Sequence, residues 1–193
     1  MQSSDRKRDI ALRALELFSQ KGYDGVSVDE IAAAAGIKGP SLYKHFSGKK
    51  DILDYIISIM ENGDTTEANK YQMPLTCDGA VPSQKLIYEY VKSMFAYFTE
   101  NETAAMFRRM LELQKYSCEK MRRLYALYVA EGPLEYMTQV FSHIYEKAQA
   151  KIIATQVYGS FYLYLGIYDR AENKQQITKT FFDCLDATEK QNG

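Results

Sequence analysis

Residues 27–46, SVDEIAAAAGIKGPSLYKHF, predict two short helices separated by a tight turn. Ser27 and Glu30 form an S-x-x-E capping box, in which a hydroxyl and a carboxylate satisfy free backbone N–H groups at the helix start. Ile31, Ala32 and Ala35 face inward, and Gly36 closes that helix. The next helix is expected from Gly39 to Tyr43 or Lys44. Pro40 is tolerated there because first-turn N–H groups have no helical partner. Leu42 and Phe46, four residues apart, anchor one face in a core.

Working outward, a first helix is expected from about Ser4 to Lys21. Its stripe is Ile10, Ala11, Ala14, Leu15, Leu17 and Phe18, and Gly22 ends it. A further helix, capped by Ser47, carries Ile52, Leu53, Ile56, Ile59 and Met60 toward the core. From Asn62 to Ser83 the periodicity is poor and Gly63, Pro74, Gly79 and Pro82 interrupt it, which marks a boundary. Beyond it, apolar residues recur at spacings of three and four. They predict helices at roughly 83–100, 102–115, 117–131, 133–147, 149–169 and 173–188. The expectation is an all-α chain of about nine or ten helices. Residues 1–50 form a three-helix head, residues 51–193 a larger helical domain, and a helix at about 48–62 connects the two.

A short helix, a turn and a second short helix is the geometry that lays the second helix in the DNA major groove while the first braces it. The groove-facing side here is dense in usable groups, with Lys38, Gly39, Ser41, Tyr43, Lys44 and His45 inside eight residues. Charge agrees: residues 1–50 hold nine Lys/Arg against six Asp/Glu, while the rest holds fifteen against nineteen. A basic head on an acidic body suits a protein that offers one end to a polyanion.

The run from Ile10 to about Met60 resembles the N-terminal domain of the TetR family. The first-helix pattern is Ala14-Leu17-Phe18-Gly22-Tyr23, and the second is Ser27-Ile31-Ala32-Ala35-Gly36-Ile37. Ser41-Leu42-Tyr43-His45-Phe46 and then Lys49-Asp51-Leu53 complete it. The resemblance implies phosphate contacts from Ser27, Tyr43, His45 and Lys49, and base or groove contacts from Lys38, Gly39, Pro40, Ser41 and Lys44. A phenol and an imidazole N–H both donate to phosphate oxygens, and a lysine reaches the O6/N7 edge of guanine. Lys38 stands where the family usually has a small hydroxyl residue, and Lys44 where an aromatic is common, so no operator sequence is carried over. Arg6-Lys7-Arg8 reads either as a solvated end or as an arm on the DNA backbone.

The larger domain has no nucleophile-and-base pair, no Gly-rich phosphate loop and no paired metal ligands, so neither an enzyme nor a cofactor is expected. With two histidines, and three cysteines at 77, 118 and 184, no metal-finger spacing arises. Sixteen tyrosines against no tryptophan stand out. Tyr90, Met94, Tyr97, Phe98, Met106, Met110, Met121, Tyr125 and Tyr128 read either as core or as the lining of a ligand cavity. TetR-like proteins commonly bind ligands there. Glu89, Glu112 and Glu131 nearby favour an apolar or aromatic, neutral or cationic small molecule over an anion. The last two helices read as an association surface through Ile153, Val157, Phe161, Tyr164, Leu165, Phe181 and Leu185, paired with symmetry mates as a four-helix bundle.

The expected function is a homodimeric repressor that binds a double-stranded operator and is released by a small ligand. The alternative is a DNA-binding factor controlled by a protein partner, or by no ligand. No apolar run approaches the roughly 18 residues of a membrane span, and Met1–Asp9 lacks a signal peptide's apolar stretch. The location expected is cytoplasmic.

Overall fold

The computed structural model describes residues 3–62 and 81–192, and all regular secondary structure among them is helical. The helices are α1 (Ser3–Lys21), α2 (Val28–Ala34), α3 (Gly39–Leu42), α4 (Lys49–Asn62) and α5 (Gln84–Glu100). They continue as α6 (Glu102–Gln114), α7 (Glu119–Val129), α8 (Glu131–Phe141), α9 (Lys147–Arg170) and α10 (Lys174–Asn192). Most of the expected boundary segment, residues 63–80 with Gly63, Pro74, Cys77 and Gly79, lies outside the described residues.

Two compact units emerge, and neither is continuous in the chain. The first takes in α1–α4, α6 and α7 as far as Tyr125. Ile10, Ala11, Ala14, Leu15 and Phe18 are fully buried along α1, spaced so that they fall on one face. Burying each of the larger ones is worth about 1.5–3 kcal/mol. Leu17, expected in the same stripe, is only half-buried. Against α1 lies α6, which buries Ala104, Phe107, Met110 and Leu111. Arg108 is buried on the same helix and pairs with Glu112 at 3.1 Å, since a guanidinium out of water needs a countercharge. Gly22 leaves α1 at φ +76°, a conformation that favours glycine. A Cβ there would come within 2.3 Å of Gln114 Nε2.

The second unit takes in α5, α7 from Ala126, and α8–α10. Ala150, Ile153, Ala154, Val157, Phe161 and Leu165 form the buried stripe of α9. Phe95 of α5 packs at ring-centre distances of 4.4 Å from Phe181, 5.8 Å from Phe161 and 6.0 Å from Tyr168. Hydrogen bonds hold the end of α10: Gln84 donates to the Glu189 carbonyl at 2.7 Å, and the Tyr145 hydroxyl to that of Asn192 at 2.8 Å. Lys92 bridges Glu89 at 3.0 Å and Asp186 at 2.7 Å.

The helix expected at 133–147 runs instead from Glu131 to Phe141. Pro133 sits in its first turn, where its missing N–H costs nothing. The chain then leaves the helix, with the N–H groups of His143 and Ile144 bonded three residues back to Val140 and Phe141. At α4 the expected Ser47 cap takes another form. The Asp51 carboxylate accepts from the Ser47 backbone N–H at 2.9 Å and from its hydroxyl at 3.3 Å.

Candidate nucleic-acid interface

The capping box is present in full. Ser27 Oγ accepts from the Glu30 N–H at 3.2 Å, and the Glu30 carboxylate accepts from the Ser27 N–H at 2.8 Å and from its hydroxyl at 2.9 Å. Lys21 adds an ion pair to Glu30 at 2.7 Å. These partners, the Lys21 ammonium first and the Ser27 groups next, hold the Glu30 carboxyl down at about 2. Gly36, at φ +64°, ends α2 and turns the chain into α3. The Ile37 N–H reaches back to the Ala32 carbonyl at 2.9 Å.

The four-residue α3 begins at Gly39 and has Pro40 in its first turn. Leu42 is fully buried and Phe46 nearly so, which pins the inner face. The other face is open: Lys38, Pro40 and Lys44 are exposed, Tyr43 is 59% exposed, and Gly39, Ser41 and His45 are half-buried. Lys38 and Lys44 form no ion pair with any described residue. An unpartnered basic and hydroxyl-bearing face therefore projects from the end of a rigidly capped helix pair.

Lys49 is placed differently from the other expected contacts. Its Nζ donates to the carbonyls of Tyr23 at 2.8 Å and Val26 at 2.9 Å, and lies 4.5 Å from the centre of the Tyr23 ring. Two of its three N–H donors thus secure the turn before α2, leaving one to face solvent. Burial, then the charges of Asp24 and Asp54, push the Tyr23 hydroxyl up, so it stays a neutral phenol.

Two of the three N-terminal basic residues, Arg6 and Lys7, are structural supports. Arg6 donates to the Ala35 carbonyl at 2.8 Å, capping the end of α2, and pairs with Asp9 at the same distance. Lys7 Nζ sits 4.9 Å from the ring centres of both Phe46 and Tyr55. Sequence reasoning missed these two roles, and it missed Asp29, whose carboxylate stands beside Gly39. The Lys7 contact had a signal in the aromatics flanking the third helix. A bond to a backbone carbonyl has none.

The nine expected ligand residues divide between the units. In the first, Met110 and Met121 are fully buried, while Met106 and Tyr125 are half-buried. In the second, Tyr90, Met94 and Phe98 pack against the core, and Tyr97 and Tyr128 are half-buried. Burial, reinforced by Tyr136, pushes the Tyr90 hydroxyl well up. A cavity of about 460 Å³ lies elsewhere in the second unit, between Tyr168, Phe182, Lys174, Lys179, Glu100 and Asp183. None of the nine lines it. Cys118 and Cys184 are free, exposed thiols.

The residues expected to form the association surface lie within the chain's own core. Ile153, Val157, Phe161, Leu165, Phe181 and Leu185 are all buried within one chain, and Tyr164 packs on the same core. The face of α9 left open carries Ile152, Gln156, Gly159, Leu163, Gly166 and Ile167. Ile152 is 60% exposed and Leu163 59%. The cause is that α9 is apolar on two sides, and the intrachain core takes the side with the larger rings.

Residues 10–56 match the family described as bacterial regulatory proteins, tetR family. Among characterised proteins, the chain is similar to the biofilm operon icaADBC HTH-type negative transcriptional regulator IcaR of Staphylococcus aureus. The two are 50% identical over 48 residues, which is 25% of this chain and 26% of that protein's length. Two solved structures share the fold over most of their length. One is AibR in complex with isovaleryl coenzyme A and operator DNA (TM-score 0.65, 20% identity, 92% of this chain and 96% of that one). The other is the Bacillus subtilis regulator FadR in complex with stearoyl-CoA (TM-score 0.60, 16% identity, 92% and 96%). The helix-turn-helix segment, residues 10–56, thus matches the tetR family of bacterial regulatory proteins, and the rest of the chain shares its helical fold with these solved structures.

Proposed function

We propose that this protein is a cytoplasmic, homodimeric transcriptional repressor that binds an operator through α3 and is released from it by a small molecule. The observation that carries the reading is the open face of α3, with Lys38, Tyr43 and Lys44 projecting from a helix pair pinned by Leu42, Phe46 and the Ser27–Glu30 box. Phosphate contacts fall to Ser27, Tyr43, His45 and the remaining donor of Lys49. Base contacts fall to Lys38, Gly39, Pro40, Ser41 and Lys44. Dimerisation is assigned to α9 through its open stripe Ile152–Leu163–Ile167, with α10 beside it. A Cβ at Gly159 or Gly166 would meet nothing within 4 Å, which leaves room for a second helix. Two bound half-sites lie about 34 Å apart, one turn of the duplex.

For the ligand, the Tyr- and Met-rich helices support an apolar or aromatic molecule, neutral or cationic. A second reading, an acyl thioester, is favoured by the acyl-CoA bound in each of the two fold neighbours. The ligand acts by binding the non-DNA-competent dimer more tightly. The test is a mobility shift of the full-length protein on DNA from upstream of its own gene, repeated with cationic dyes, phenols, fatty acids and acyl-CoAs. Saturable binding, with release by one class, supports the reading. Equal binding to unrelated DNA overturns it.

A further inference from the structure

We infer that Asp29 reads a base: its carboxylate, held beside the start of α3, selects a cytosine in each half-site. The inference rests on the DNA-binding reading above and extends it to a residue that belongs to α2.

The placement comes from the packing of α2 on α3. Asp29 lies in the first turn of α2, and its Oδ1 is 3.1 Å from where a Cβ on Gly39 would stand. A Cβ at Gly39 would push the carboxylate back by a few tenths of an ångström, so the glycine leaves it room against the start of α3. Asp29 is exposed, and it forms no ion pair or hydrogen bond with any described residue. Its neighbour Glu30 is used up by Ser27 and Lys21. Lys38, at the N-cap of α3, is equally exposed and leaves Asp29 unneutralised. The DNA-facing end of the helix pair therefore holds one carboxylate with all its acceptor capacity available.

A negative charge on this face is unfavourable toward phosphates, so a backbone contact is excluded by sign. A carboxylate only accepts hydrogen bonds, and among base edges in the major groove it suits the cytosine N4 amine; adenine also offers an amine, but with the N7 acceptor beside it. Guanine offers N7 and O6 there, both acceptors, and repels it. Asp29 thus adds selectivity by attraction to one base and repulsion from another. Lys38 beside it favours guanine by the opposite logic, so the pair prefers adjacent positions of opposite hydrogen-bonding character.

The test is selection of binding sites from a randomised duplex library with full-length wild type, Asp29→Ala and Asp29→Asn. Circular dichroism melting should confirm that each is folded. The expected result is a cytosine preference at one position per half-site, on the order of tenfold, that Asp29→Ala loses. Its binding to non-specific DNA should be unchanged or tighter, because a negative charge has gone. Asp29→Asn, which keeps the shape and gains a donor, should shift the preference at that position toward adenine. A defined wild-type site that both variants reproduce at every position overturns the role of Asp29 and leaves the DNA-binding reading intact. A wild type that enriches no sequence overturns both.

Discussion

Lys49 Nζ lies 2.8 Å from the carbonyl oxygen of Tyr23 and 4.5 Å from the centre of that residue's ring, so one side chain grips its neighbour twice. With the Val26 carbonyl at 2.9 Å, this fixes the turn that sets the angle of α2. Lys49→Ala should lower stability by about 1–2 kcal/mol, since hydrogen bonds to a charged group contribute roughly that much when partly shielded. It should also weaken binding to all DNA sequences. Thermal unfolding and a salt titration of binding check both. An unchanged Tm would show the carbonyl contacts to be idle. A fall in the salt slope of about one unit would assign the third donor to a phosphate.

On the open face of α3, Lys38 and Tyr43 should behave differently. Tyr43→Phe removes the phenol donor proposed to reach a phosphate and should weaken binding to every sequence alike. Lys38→Ala should relax preference at one base pair per half-site, a loss on the order of 1–3 kcal/mol for the preferred base. Competition binding against single-substituted duplexes separates them. Equal weakening of all duplexes by Lys38→Ala would make Lys38 a backbone contact.

Gly22 and Gln114 should show coupling. Gly22→Ala places a β-carbon 2.3 Å from Gln114 Nε2 and forces an L residue to φ +76°. The left-handed conformation alone costs about 1–2 kcal/mol, and the clash adds to it. In a Gln114→Ala background the clash disappears and the backbone cost remains. A denaturant double-mutant cycle should therefore show a smaller loss for Gly22→Ala in that background; equal losses would mean Gln114 moves aside freely.

The exposed face of α9 gives a prediction that separates association from folding. Ile152→Glu with Leu163→Glu should give folded monomers with weak operator binding. Phe161→Glu and Phe181→Glu should unfold the chain instead, because both rings are buried against Phe95. Sedimentation with circular dichroism distinguishes the outcomes. Folded dimers from the Ile152/Leu163 variant would remove this face from consideration.

Acid should loosen the start of α2 through Glu30. Its carboxyl is lowered from 4.5 to about 2 in the folded chain. The folded state therefore binds its proton less readily than the unfolded one. The contribution is complete above pH 4.5 and is lost as pH falls toward 2. Glu30→Gln should be less stable than wild type at neutral pH, and the gap should close across that window. A gap independent of pH would assign the loss to shape and not charge.

The helix-turn-helix was legible in the sequence because its signals are local. The Ser27–Glu30 spacing closes a capping box within one turn, Gly22 and Gly36 stand where φ is positive, and the α1 stripe repeats every three or four residues. Each feature depends on residues close in the chain, so identity and spacing are enough. Which side of α9 faces the core was decided only in three dimensions. Ile152, Ile153, Leu163 and Leu165 make both sides apolar, and periodicity cannot rank two apolar faces. Packing against Phe95 does, by taking the face that carries Phe161. The partners of Lys49 and Arg6 are backbone carbonyls, which every residue possesses and no residue type announces. The approach of Asp29 to Gly39 depends on how α2 crosses α3. Such contacts exist only once helices are placed, because they are set by distances between segments that the order of residues does not contain.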